Sequence, residues 1–133
     1  MPVTGGVGPA ALELQDGYFV MPTVFDGVNQ NMRIAQKDIF GPVMPVIAWR
    51  DIEDVPAQAN SLSLELTTTI VTRDLAQAMK TAERIEAGYV WINGNGSYLG
   101  APYGGWKHSG PGAEETFEEM LIYIQIKNVH MRW

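Results

Sequence analysis

Fifteen acidic side chains, two histidines and no cysteine set the chemistry open to this chain of 133 residues. Without a thiol there is no cysteine nucleophile, no thiolate-bound zinc and no disulfide framework. His108 and His130 each stand alone, with no second ligand at helical or hairpin spacing, so a metal site is not expected. Ser97 and Ser109 lack the flanking residues of a nucleophile elbow, which leaves a hydrolase triad without support. Residues 94–100, Gly-Asn-Gly-Ser-Tyr-Leu-Gly, follow an apolar run in the manner of a dinucleotide loop. Their glycine spacing is off by one, and Pro102 rather than a helix comes next. Glu114, Glu115, Glu118 and Glu119 are expected to open a helix, where carboxylates favour the positive end of the dipole.

The acidic residues outnumber nine basic ones, giving a formal net charge of -6 and a pI near 4.7. Proteins that bind a phosphate backbone gain affinity from clustered Lys and Arg. Here the basic residues are scattered, so nucleic acid is not an expected partner. A composition 46% hydrophobic and 18% charged suits one domain able to build a core without a metal or disulfide staple. No run approaches membrane-spanning length, and residues 1–11 hold neither a basic residue nor the apolar segment of a signal peptide. With zero cysteines, the expectation is a cytoplasmic protein that does not enter a membrane.

The elements that must position any site can be read from periodicity. Residues 4–9, rich in glycine, read as a loop within a flexible lead-in covering residues 1–16. Residues 18–25 are apolar around Pro22, which confines them to a sheet edge or irregular extended chain. A helical turn is predicted over residues 32–37. From residue 43 the pattern runs β-α-β-α-β, with strands at 43–49, 67–72 and 89–93. The first helix, around residues 55–60, would be capped by Asp54, placing Pro56 in its first turn. The second would be capped by Asp74, bury Leu75, Ala78, Met79, Ala82 and Ile85, and stop at a left-handed Gly88. Right-handed crossovers would put both helices on one face of a parallel sheet. The other face would be covered by the remaining segments, including a helix over residues 113–121, or by another chain. Residues 121–129 alternate apolar and polar, so the chain is expected to close on a strand in need of a partner.

Several segments gain meaning together. Residues 17–25 read Gly-Tyr-Phe-Val-Met-Pro-Thr-Val-Phe, and Met-Arg-Ile-Ala at 32–35 leads into Asp-Ile-Phe-Gly-Pro-Val at 38–43. Asn60 follows, then Thr-Arg-Asp-Leu-Ala at 72–76, Trp-Ile-Asn-Gly at 91–94, and Ala-Pro-Tyr-Gly-Gly-Trp-Lys-His-Ser-Gly-Pro-Gly at 101–112. In this order and at these separations the set resembles the NAD(P)-dependent aldehyde dehydrogenases, from about Gly17 to Lys127.

The resemblance is to the C-terminal part of those enzymes. It implies an α/β fold, a parallel sheet with crossover helices. Residues 17–121 would form part of the catalytic domain and residues 122–133 the terminal strand of the oligomerisation region. The nucleotide-binding domain, the oxyanion-hole asparagine, the glutamate base and the nucleophilic cysteine of the family have no counterpart here. In that chemistry a thiolate attacks the aldehyde before hydride leaves, so the chain is not expected to be catalytically competent alone. Asp38 occupies the position of the family glutamate that holds the nicotinamide ribose, one methylene shorter, and Phe40 that of the aromatic beside the nicotinamide. Tyr103 matches an aromatic of the aldehyde tunnel, Tyr98 and Leu99 fall in the loop that meets the substrate tail, and Glu114 matches a proton-path glutamate. Four further positions depart from the family pattern. Glu65 stands for a glycine, Ala113 for an arginine, and Thr116 and Glu119 for two glycines.

Two readings follow. In one, the chain is a non-enzymatic module or relic that self-associates through its terminal strand and exposed apolar faces, and binds no cofactor by itself. In the other, it is the C-terminal half of a split dehydrogenase. A cysteine-bearing partner chain would complete it, and only then would it contact NAD or NADP.

Overall fold

The computed structural model describes residues 1–14, 16–96 and 98–133. The Ser97 of the sequence reading, and Gln15 of the lead-in, lie outside the described residues. The chain forms two compact units, residues 1–58 and 59–133, where composition alone suggests one.

The first unit is built on a three-stranded sheet in the order β1 (Pro2–Thr4), β2 (Thr23–Phe25), β3 (Val43–Pro45). The lead-in therefore contributes a strand, which pairs antiparallel with β2. Gly5 and Gly6 end it in the left-handed region, at φ 73° and 78°. A Cβ on Gly5 would meet the Pro22 carbonyl oxygen at 2.3 Å, so only glycine fits this crossing. Buried Thr23 closes the crossing: its Oγ1 donates to the Met21 carbonyl (2.7 Å) and accepts from the Gly6 N–H (2.9 Å). Pro22 lies just outside β2, and β2 is the middle strand rather than an edge. β3 pairs parallel with β2, Thr23 opposite Val43 and Phe25 opposite Pro45. It stops at Pro45, four residues earlier than its apolar run suggests, and proline is tolerated there because β3 is an edge. Between them, α1 (Arg33–Gln36) confirms the expected helical turn.

A 3-10 turn, Ile52–Asp54, runs directly into α2 (Val55–Asn60), and the division between the units falls within this helix. Asp51, not Asp54, is the cap, accepting the Glu53 N–H at 2.9 Å. Pro56, buried, is the second residue of α2, five positions after the Asp51 cap rather than in the first turn that an Asp54 cap would give it.

The second unit centres on β5 (Thr67–Ile70), α3 (Leu75–Arg84) and β6 (Tyr89–Ile92), with β5 and β6 parallel. This is the expected β-α-β unit, but β3 does not extend its sheet; among the described residues β3 pairs only with β2. Asp74 caps α3 as expected, accepting the Gln77 N–H at 2.9 Å. The face of α3 that is buried is Ala78 (1% exposed), Thr81 and Ile85, whereas Leu75 and Met79 are exposed. The buried Thr81 hydroxyl is satisfied by donating to the Gln77 carbonyl at 2.9 Å. Gly88 is not a left-handed stop. A Cβ there would fall 1.7 Å from the Gly104 carbonyl oxygen, so the residue is small because two backbones touch.

Two asparagines bracket this unit. Asn60 donates to the Arg84 carbonyl (2.7 Å) and accepts the Glu86 N–H (3.0 Å). Asn93 donates to the Thr72 carbonyl and accepts the Thr72 N–H, both at 2.8 Å. Short antiparallel pairs complete it: β4 (Leu64–Glu65) with β8 (Trp106–Lys107), and β7 (Tyr103–Gly104) with β9 (Ala113–Glu114). The expected helix at 113–121 begins later, as α4 (Phe117–Ile122), because Ala113 and Glu114 are taken into β9. Only Glu118 and Glu119 of the four glutamates lie in its first turn. The closing strand is absent: α4 runs through Ile122, and residues 123–133 are exposed and join no ladder of the described residues.

Candidate functional site

The six residues singled out from the sequence fall in both units. Asp38 and Phe40 belong to the first, on the chain leaving α1. Two tight backbone bonds shape this turn: the Gly41 N–H donates to the Ile39 carbonyl (2.7 Å) and the Val43 N–H to the Gly41 carbonyl (2.8 Å). The Thr23 N–H then pins the Pro42 carbonyl at 2.9 Å, at the start of the β2–β3 ladder. Asp38 is exposed, and Phe40 is 97% exposed. Ile34, Ala35 and Gln36 beside them are half-buried, so the turn is anchored while its aromatic tip stands free.

In the second unit, Tyr103 and Glu114 are brought directly opposite one another in the β7–β9 pair. Tyr103 packs its ring at 5.7 Å from Tyr89 and 6.5 Å from Trp91, whose own centroids lie 4.8 Å apart. This aromatic cluster packs the Tyr103 ring against two side chains of β6. Tyr103 and Glu114 share the wall of an open hollow of about 360 Å³ with Leu66, Ser109, Glu119 and Tyr123. Tyr98 and Leu99 lie on a turn closed by the Ala101 N–H donating to the Tyr98 carbonyl at 2.9 Å. Both are exposed, Leu99 by 92%, and neither lines the hollow. The Gly100 N–H, donating to the Glu115 carbonyl at 2.8 Å, ties that turn to the end of β9.

Glu119 was not singled out for this site. Its carboxylate accepts the Glu115 N–H at 3.0 Å, steadying a residue with φ 66°, and so orders the passage from β9 to α4. The signal was present as Thr116-Phe117-Glu118-Glu119, the spacing of a capping box. Here the glutamate reaches back one residue further than the cap itself.

Two phenols, a hydroxyl and two carboxylates can bind polar groups and pass protons, but none is a nucleophile with an adjacent base. Among the described residues no group of three His, Cys, Asp or Glu side chains gathers to hold a metal. Nor is any helix of the described residues long and apolar enough to cross a membrane.

The sequence pattern of the aldehyde dehydrogenase family matches residues 1–129. The chain belongs to the aldehyde dehydrogenase family. It is 43% identical to human retinaldehyde dehydrogenase 3 over 126 residues, covering 94% of this chain and 24% of that protein. It is 42% identical to an aldehyde dehydrogenase of Talaromyces stipitatus over 123 residues, covering 92% of this chain and 24% of the relative. Among solved structures, indole-3-acetaldehyde dehydrogenase of P. syringae, in complex with NAD+ and IAA, superposes with a TM-score of 0.85 at 38% identity. That match covers 96% of this chain and 26% of the other. Betaine aldehyde dehydrogenase of Staphylococcus aureus with NAD+ gives a TM-score of 0.85 at 34% identity, over 92% of this chain and 25% of that enzyme. The aldehyde dehydrogenase piece described here thus spans about a quarter of the length of these relatives.

Proposed function

We propose that this chain is a cytoplasmic aldehyde dehydrogenase piece that self-associates and does not catalyse by itself. Residues 17–121 correspond to part of the catalytic domain, behind a lead-in of residues 1–16, and residues 122–133 to the terminal oligomerisation strand. The observation that carries this reading is the last residue of α4 together with the segment that follows it. Ile122, Ile124 and Ile126 are exposed, the last by 92%, in a chain that contains no thiol to attack an aldehyde. An alternating segment with one exposed apolar side is satisfied by another strand or face. A solution mass of two or more chains, with no heat on titrating NAD or NADP, is the expected result. A monomer that binds the dinucleotide would overturn it.

A second reading, the C-terminal half of a split dehydrogenase, is favoured by Tyr103 and Glu114 lying side by side on the β7–β9 pair in the wall of the hollow, and by Phe40 standing open on its turn. Asp38 and Phe40 suit one end of a dinucleotide, a carboxylate for ribose hydroxyls and a ring face for nicotinamide. When bound, NAD would accept the hydride, and these two residues would orient the ring. Tyr98, Leu99 and Tyr103 would border the aldehyde, and Glu114 would pass a proton outward. The thiolate would have to come from a partner chain. Mixing the chain with a cysteine-bearing front half should then produce NADH from an aldehyde, and Tyr103→Ala should lower that rate. An unchanged rate would exclude this role for Tyr103.

A further inference from the structure

Glu65 is 7% exposed, a charged side chain buried on β4. One carboxylate oxygen accepts from Lys107 Nζ at 2.6 Å, and the other, fully shielded, has no hydrogen-bond partner. A buried carboxylate with one partner depends on that partner, because losing it leaves a charge without compensation. Lys107 is equally committed. Its ammonium also meets Glu86 at 2.8 Å, the Asn60 carbonyl at 2.7 Å and the Leu62 carbonyl at 3.2 Å. One cation thus gathers the end of α2, the following turn, β4 and the residues after α3.

The backbone it holds is poorly held otherwise. β4 and β8 pair over two residues, supplemented by the His108 N–H donating to the Ser63 carbonyl (2.9 Å) and the Glu65 N–H to Ser109 Oγ (2.8 Å). Lys107 sits at φ 49°, a conformation a residue with a Cβ rarely adopts without outside support. Gly105, Ser109 and Gly110, on the same turn, line the hollow beside Tyr103 and Glu114.

We propose that Lys107, Glu65 and Glu86 form an ionic latch that holds residues 105–110 closed as one wall of the Tyr103 hollow. The latch has two states. Glu65 is either shielded and paired or swung out into water, because the intermediate, shielded and unpaired, is the costly one. Opening removes Ser109 and Gly110 from the hollow and leaves β5, α3 and β6 in place. This inference concerns the second unit alone and does not depend on the functional readings above.

Hydrogen exchange of the full chain, followed by mass spectrometry, tests it. In Lys107→Met and in Glu65→Gln, peptides covering residues 61–66 and 105–110 should exchange at least about ten-fold faster, while residues 67–70 and 89–92 keep their rates. Unchanged exchange in the first pair of peptides would overturn the latch. So would an equal acceleration throughout, which marks an ion pair serving the whole unit. Should those variants fail to fold, Glu86→Gln removes only the exposed arm. Faster exchange confined to the same two peptides would sustain the proposal, and exchange identical to wild type there would sink it.

Discussion

At the scale of single residues, the hydrogen bonds from Lys107 to Glu65 and then to Glu86 raise the Lys107 pKa above the ordinary lysine value of 10.5. A raised lysine pKa stabilises the fold fully below the unfolded value, and that contribution is lost as pH climbs through the folded one. The stability difference between wild type and Lys107→Met should therefore be level through neutral pH and shrink only above about pH 10.5. Urea unfolding at a series of alkaline pH values measures it, and a difference already falling below pH 9 would contradict the assignment. The sequence marks Glu65 as a departure but offers no hint of its partner, 42 positions away. Gly88 shows the same limit. Its place after a helix suggests a left-handed stop, while its real constraint is the backbone of Gly104, a non-local contact that spacing does not report.

At the scale of elements, what could be read was what repeats over several residues. The β5-α3-β6 unit declares itself through a threonine-rich run, an Asp74 cap and a second apolar run, and the structure agrees with each. Two-residue strands such as β4, β7, β8 and β9 carry no period to detect, since alternation needs at least four residues to be seen. The expected α3 face holds in part: Ala78 and Ile85 are buried, Leu75 and Met79 are exposed, and Thr81, which hydrophobicity does not mark, is buried as well. Caps make a sharper test. Because Asp51 accepts the Glu53 N–H while Asp54 lies inside the 3-10 turn, Asp51→Ala should cost about 1 kcal/mol and Asp54→Ala well under half of that. Equal losses in chemical denaturation would restore Asp54 as the cap.

At the scale of the whole molecule, family membership was legible because its motifs spread along most of the chain, and the match over residues 1–129 extends it into the lead-in. The closing strand was read correctly as a pattern but not as a local structure. Alternation at residues 121–129 specifies one apolar side, and a strand forms only where a second strand supplies donors and acceptors. Within this chain none does so among the described residues, and Leu121 and Ile122 join α4 instead. That division decides which isoleucine to change. Ile122 lines the hollow with Tyr103, so altering it would disturb the unit itself, whereas Ile124 and Ile126 lie beyond the helix on exposed chain. If self-association runs through this segment, Ile124→Lys with Ile126→Lys should reduce the scattering mass to that of one chain. The circular dichroism and urea midpoint, taken at a concentration where wild type is also monomeric, should stay as in wild type. The charges act by being unacceptable in a buried strand pair, at a cost of several kcal/mol per ion. A doubly substituted chain that keeps its oligomeric mass would move the interface elsewhere, to the exposed apolar residues Phe19 and Val20 of the first unit or Phe117 of the second.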